Sequence, residues 1–70
     1  MSDHVYSVTE IVGSSPGTID DAIRNAIGRA RKTLRHLDWF EVTEIRGQLN
    51  DGGEVAHYQV ALKVGFRIED

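Results

Sequence analysis

The sequence predicts an α+β domain with the element order β-α-β-β, in which an antiparallel sheet lies across one long helix. Three patterns in the 70-residue chain indicate this fold. Residues 18–40 repeat apolar side chains at helical spacing, and residues 56–68 alternate apolar with largely polar side chains. Between the helix and the last strand, Asn50-Asp51-Gly52-Gly53 is typical of a hairpin turn.

The first strand is predicted over residues 4–12, which are rich in β-branched and aromatic side chains. Its apolar residues divide between the two faces, with Tyr6, Val8 and Val12 on one face and Val5 and Ile11 on the other. This pattern predicts a strand that is covered on both faces.

The segment Gly13-Ser14-Ser15-Pro16-Gly17 is predicted to end the first strand. A plain connector is the favoured interpretation. A Gly/Ser-rich loop before a helix can also hold a phosphate, and that alternative stays open. The segment lacks the lysine and the spacing of a P-loop.

The helix is predicted to begin after Thr18, which can cap it together with Asp21, and to end near Leu37 or Asp38. Gly28 interrupts the pattern at a cost of about 1 kcal/mol relative to alanine. Close packing against a neighbour would explain this glycine. The predicted buried stripe comprises Ile19, Ala22, Ile23, Ala26, Ile27, Ala30, Leu34 and Leu37.

The second strand is predicted from Trp39 onward, and its apolar phase shifts between Val42 and Ile45, which indicates a bend or bulge. The last strand carries the most regular alternation of the chain, with Ala56, Tyr58, Val60, Leu62, Val64, Phe66 and Ile68 on one face. Extended over residues 55–68, it would span about 45 Å at ~3.3 Å per residue. A compact chain of this size is nearer ~30 Å across. The strand must therefore curl strongly or pair with another subunit, and self-assembly is the favoured interpretation.

Composition limits the possible functions. The chain is 40% hydrophobic and 27% charged, which is ordinary for one small globular domain spanning residues 1–70. It has no cysteine, and its net charge of −3 disfavours nucleic acid as a partner. No apolar run is long enough to span a membrane, and the first residues do not resemble a signal peptide. We therefore expect a cytoplasmic protein without a membrane or nucleic-acid partner.

Nothing in the sequence indicates a catalytic or metal site. His4, His36 and His57 have no spacing that suits a metal, and they are interpreted as surface residues. Ser14 and Ser15 lie outside any nucleophile-elbow pattern. The sequence therefore predicts that the protein is not an enzyme.

Three side chains are candidates for binding a planar ligand. Trp39, the only tryptophan, can act as a stacking platform, although a core or interface aromatic is the ordinary alternative. Gln59 lies on the polar face of the last strand, where its carboxamide can pair with the edge of a heterocycle. Arg46 can bind a phosphate or a carbonyl oxygen.

The chain resembles the dodecins, small flavin-binding proteins that assemble as hollow dodecamers, over nearly its whole length. The segments that carry the resemblance are residues 12–15 (VGSS), 37–42 (LDWFEV), 45–47 (IRG), 58–60 (YQV) and 64–70 (VGFRIED). The resemblance implies a strongly curved three-stranded antiparallel sheet that wraps the helix. This agrees with the element order indicated by the patterns.

The resemblance also implies a site shared between subunits, in which two flavin rings stack between a pair of tryptophans. Trp39 matches that tryptophan, and Gln59 matches the glutamine that hydrogen-bonds the pyrimidine edge. Arg46 matches an arginine of the bacterial members, which prefer FMN to unphosphorylated flavins. FMN is therefore the flavin implied, and riboflavin or FAD stays possible. Coenzyme A is a second ligand implied by those members, although no residues of this chain can be assigned to it. Gly28 departs from the family, in which alanine is usual.

The function implied is storage and sequestration of flavin, with Trp39 quenching the excited ring and limiting its photochemistry. Two alternatives are a small flavin-dependent oxidoreductase and a structural shell-former that has lost its ligand. A sandwiched ring leaves no face open to a substrate, which disfavours the oxidoreductase. The presence of both Trp39 and Gln59 disfavours the shell-former.

Overall fold

A computed structural model describes residues 3–68, which form β1 (Tyr6–Ser15), α1 (Ile19–Ala30), β2 (Leu37–Leu49) and β3 (Val55–Arg67). The three strands form one antiparallel sheet in the order β1-β3-β2, so the last strand is central. The predicted fold class is confirmed. Residues 1, 2, 69 and 70 lie outside the described residues, and with them Glu69 and Asp70 of the last family-like segment.

Strand β1 continues through Gly13 to Ser15, so the prediction that Gly13 ends the strand is wrong. The helix crosses β1 at this glycine. A Cβ built on Gly13 would overlap the carbonyl oxygen of Ala22 and lie 2.8 Å from Cβ of Ala26. Gly13 therefore permits close packing of the helix on the strand. A glycine in a sequence can mark either such close packing or the end of a strand, and the sequence alone does not distinguish the two.

Helix α1 begins as predicted, because the Thr18 hydroxyl oxygen accepts a hydrogen bond from the Asp21 amide at 3.0 Å. Its end was predicted wrongly: the helix stops at Ala30, not near Leu37 or Asp38. Beyond it, the amide of Leu34 still donates to the Ala30 carbonyl at 2.9 Å, which explains why the apolar rhythm persists. His36 then takes a left-handed conformation with φ of 61°, and the chain turns into β2.

The core lies between α1 and the side of the sheet that we call the inner face, which carries Val60, Leu62 and Val64 of β3. These three side chains are fully or almost fully buried against Ala22 and Ala26. The helix packs on β1 and β3. On the opposite side, the outer face, no helix lies among the residues that the structure describes.

The predicted bulge and turn are both confirmed. The register of β2 against β3 shifts between Val42 and Glu44. In the turn, the Asn50 side-chain oxygen accepts hydrogen bonds at 3.0 Å from the amides of Gly52 and Glu54. Gly53 has a φ of 78°, which residues with a side chain rarely adopt.

The chain is much longer than it is wide, with extents of 57 × 20 × 14 Å. Its radius of gyration is 14.6 Å, against ~11 Å expected for a compact chain of this length. The β2–β3 hairpin extends past the helix, and almost every residue of β2 is exposed. Strand β1 is covered within the chain only on the face that carries Ile11, since Val8 and Val12 are exposed on the other.

Candidate functional site

Trp39 lies on the outer face at the start of β2, opposite Gly65 of β3. Its indole lies against the backbone of this glycine. A Cβ on Gly65 would overlap the six-membered ring of Trp39 and lie 2.7 Å from Cδ2. Trp39 as a whole is nevertheless 41% exposed, so the residue contacts Gly65 and still reaches the solvent. That arrangement suits stacking of a flat ligand better than filling of a core.

Tyr6 and Asp38 flank the indole. The ring centroids of Tyr6 and Trp39 are 6.1 Å apart, with a tilt of 58° between the planes. The Tyr6 hydroxyl donates a hydrogen bond of 2.8 Å to Oδ2 of Asp38. This hydrogen bond is the main reason that the pKa of Tyr6 is raised above its usual value.

Arg46 and Gln59 are direct cross-strand partners toward the turn end of the hairpin. The Nε–H of Arg46 donates to Oε1 of Gln59 at 3.0 Å, and Nη1 donates to a carboxylate oxygen of Glu44 at 2.5 Å. Because Arg46 can only donate, it fixes which end of the carboxamide faces it. The amide nitrogen of Gln59 is thereby presented as a donor.

The bulge between Val42 and Glu44 decides which face of the sheet these side chains share. Trp39 and Arg46 are seven positions apart, an odd number that would put them on opposite faces of a regular strand. Their partners on β3, Gly65 and Gln59, are six apart and share a face. The bulge therefore places Trp39, Arg46 and Gln59 together on the outer face.

A single chain does not bring the three candidates into contact. Six residues of β3 separate Gly65 from Gln59, which corresponds to about 20 Å. A small cleft of about 140 Å³ lies between α1 and the start of β2, where Ile27, Phe40 and Val64 line it, so it is not the outer-face surface of the indole. One chain therefore does not by itself gather the three candidates around a ligand.

Sequence reasoning missed Gly65, Tyr6, Asp38 and Glu44 as site residues. A glycine inside a strand is a signal of close approach, and it could have identified Gly65 as the support for an aromatic ring. Glu44 stands two positions before Arg46, the spacing at which strand side chains share a face. The contact between Tyr6 and Asp38 joins residues that are distant in the sequence, so no local sequence pattern indicates it.

A larger open groove of about 780 Å³ runs between β1 and α1, with Asn25, Arg29 and Lys32 along it. Within residues 3–68, no group of three or more histidine, aspartate or glutamate side chains is placed to hold a metal ion. Over the same residues, no helix is long and apolar enough to cross a membrane.

Comparison with known proteins gives consistent results. A family model described as Dodecin matches residues 5–69. A curated dodecin from Thermus thermophilus is 58% identical over 66 residues, 94% of each chain. The calcium dodecin of Mycobacterium tuberculosis is 30% identical over 64 residues, 91% of this chain and 89% of that one.

Solved structures agree with the fold. The dodecin from Streptomyces davaonensis superposes with a TM-score of 0.93 and 62% identity, covering 99% of this chain and 100% of that one. The dodecin from Streptomyces coelicolor gives a TM-score of 0.92 and 63% identity, with coverage of 100% and 99%.

Proposed function

The chain belongs to the dodecin family, and we propose that it binds FMN or a related flavin for storage and sequestration. The observation that carries this proposal is the indole of Trp39, which is held against Gly65 while the residue still reaches the solvent. A bound flavin would supply a redox-active and light-absorbing ring. The indole offers that ring a flat apolar surface on which to stack.

The polar contacts would come from Arg46 and Gln59. The amide N–H groups of Gln59 suit the carbonyl oxygens of a flavin pyrimidine edge, because Arg46 occupies its oxygen. The remaining N–H groups of Arg46 suit a phosphate, which favours FMN over riboflavin. Since these residues lie about 20 Å from Trp39 along the sheet, we propose that copies of the chain combine their outer faces to build each site.

Sequestration rather than turnover follows from this arrangement. Two flavin rings stacked between a pair of indoles would leave neither ring with a face open to a second substrate, which disfavours an oxidoreductase. One relative, the calcium dodecin of M. tuberculosis, is named for calcium. For this chain the exposed indole favours a flat organic ligand. A cytoplasmic location and binding of coenzyme A stay predictions.

The substitution Trp39→Ala tests the proposal. We expect the oligomer to persist, because the indole lies on the outer face and not in the helix–sheet core. Flavin affinity should fall at least tenfold, about 1.4 kcal/mol, because stacking and burial of the ring are both lost. Size-exclusion chromatography and flavin titration on the same sample measure the two effects.

Two results would contradict the proposal. An intact oligomer of Trp39→Ala that binds and quenches flavin normally would show that Trp39 is not the platform. Wild-type protein that purifies without flavin and fails to bind FMN, riboflavin or FAD in titrations would favour the structural shell-former instead. Gln48→Ala, an exposed change elsewhere on β2, is the matched control.

A further inference from the structure

Tyr6, Trp39 and Asp38 form a contiguous group on the outer face, which we call the Tyr6 relay. The two rings lie 6.1 Å apart between centroids, and the phenol donates a 2.8 Å hydrogen bond to the Asp38 carboxylate. All three residues are near solvent, and the bond between Tyr6 and Asp38 links positions 32 residues apart. A ring that served only as packing would not need a carboxylate at its hydroxyl.

The chemistry of these groups is that of one-electron oxidation. Cysteine, tryptophan and tyrosine are the side chains most readily oxidised by one electron, and this chain has no cysteine, one tryptophan and two tyrosines. An oxidised phenol is a strong acid and must release its proton as the electron leaves. A base within ~2.6–3.2 Å of the hydroxyl makes that transfer direct. Asp38 Oδ2 meets this condition.

We propose that Tyr6 re-reduces Trp39 after Trp39 has lost an electron, with Asp38 accepting the phenolic proton. One electron passes from the Tyr6 ring to the oxidised indole, and the O–H proton moves to Oδ2 of Asp38. An indole that has released its N–H proton on oxidation regains one from water in the same step. Neutral Trp39, a tyrosyl radical and a protonated Asp38 result, so that charge and mass balance. Return of one electron to Tyr6 and of the proton from Asp38 restores the group.

The oxidant in the cell would be the light-excited flavin stacked on Trp39, so the biological use of the relay depends on the proposed function. Under that function the excited flavin would repeatedly oxidise Trp39 by one electron. Tyr6 would supply an electron to the oxidised indole and so move the radical from Trp39 to the neighbouring phenol. The raised pKa of Tyr6 is consistent with this role, since the phenol keeps its proton until it is oxidised.

Two charged groups near the Tyr6 phenol act on its pKa in opposite directions. Arg67 is the cross-strand partner of Tyr6 and opposes the effect of Asp38 on the phenol. Its positive charge near the ring lowers the energy of a phenolate more than that of a neutral radical. The hydrogen bond to Asp38 outweighs this effect.

The test uses flavin-free full-length protein, so that failure of the relay and failure of flavin binding are separate results. Azide radicals generated by pulse radiolysis oxidise the single tryptophan by one electron. We expect the indolyl radical absorption to decay as tyrosyl radical absorption rises, at a rate independent of protein concentration. Tyr6→Phe, which keeps the ring, should abolish the rise.

Two further variants separate the relay from a general effect of mutation. Asp38→Asn keeps the size of the side chain and removes the base, so the tyrosyl rise should slow about tenfold or more. Tyr58→Phe removes the other tyrosine and should leave the transfer unchanged. Circular dichroism confirms that each variant is folded.

Three outcomes would overturn the inference. The first is an indolyl radical in wild-type protein that decays without a matching tyrosyl signal. The second is a tyrosyl signal that survives Tyr6→Phe and disappears with Tyr58→Phe, which assigns the transfer to the wrong tyrosine. The third is an unchanged rate in folded Asp38→Asn, which removes Asp38 from the step.

Discussion

At the scale of single residues, the indole of Trp39 depends on a position that has no side chain. The ring lies where the Cβ of residue 65 would be, so it packs directly on the backbone of β3 while Trp39 stays exposed. Without this support, a tryptophan on an exposed strand could rotate among its rotamers and would lose entropy on binding a ligand. Gly65 therefore preorganises the stacking surface.

Gly65→Ala tests this dependence. The added methyl group would displace the indole, because the clash is with a ring and not with the end of a flexible chain. We expect flavin affinity to fall by about tenfold with Trp39 still present, alongside a loss of ~1–3 kcal/mol in unfolding free energy. Flavin titration and near-ultraviolet circular dichroism of the single tryptophan measure the change. Gly52→Ala, whose methyl would make only ordinary contacts, is the control.

The titration of Tyr6 tests the contact with Asp38. The hydrogen bond stabilises the protonated phenol, so the pKa of Tyr6 in the folded protein lies above the ~10 of an unfolded chain. The stability that this bond contributes is therefore fully present below pH ~10 and is lost as the pH rises through the folded pKa. Ultraviolet absorbance of Tyr58→Phe protein, which isolates Tyr6, should show the shift. Asp38→Asn should lower the midpoint, and a folded midpoint at or below the denatured one would contradict the contact.

The sequence identified Trp39, Gln59 and Arg46 from what their side chains can do. It could not identify Gly65 or Glu44 as their supports, because those roles exist only through cross-strand contacts. The resemblance implies a site shared between subunits, and the single chain leaves that prediction untested. The three candidates share a face, owing to the bulge, but about 20 Å of strand separates Trp39 from the others within one chain.

At the scale of elements, α1 carries a glycine that the chain does not need for packing. The expectation that Gly28 packs closely against a neighbour is wrong within the single chain, because a Cβ there would have nothing within 4 Å. The element boundaries show a related limit of sequence patterns. Apolar spacing continues through the turn after Ala30, and glycine marks close packing at residue 13 but a turn at residue 53. Periodicity therefore identified each helix and strand, but it misplaced the end of β1 and the end of α1.

Gly28→Ala should stabilise the protein by about 1 kcal/mol, since alanine restricts the unfolded chain and favours the helix. Thermal unfolding at a fixed protein concentration should show a rise of ~4–8 °C in Tm. Gly53→Ala is the opposite control, because its φ of 78° strains any residue with a Cβ, and it should lower Tm. A loss of stability in Gly28→Ala would mean that a second copy of the chain packs against this helix.

At the scale of the whole molecule, the fold leaves more large apolar side chains exposed than fully buried. Among residues 3–68, the fully buried large side chains are those of Leu62, Val60 and Val64, whereas eleven large hydrophobic residues are exposed. On the inner face, α1 covers β1 and β3 but leaves Phe40, Val42 and Ile45 of β2 uncovered. The predicted overhang of the last strand is confirmed by the 57 Å length of the chain. A domain of this size with so small a core is expected to need a partner.

We therefore expect a closed homo-oligomer, a dodecamer if it follows the family resemblance, without a stable folded monomer. Ile45→Lys tests this directly. Ile45 is 55% exposed in the single chain, so a lysine there disturbs little within the chain but places a charge in the proposed contact between copies. Light scattering should show dissociation, and Tm should fall and depend on protein concentration. Gln48→Lys, an equal change of charge at another exposed position of β2, should leave the assembly intact. A wild-type chain that is monomeric and well folded at micromolar concentration would show that the open apolar surface is not covered by further copies.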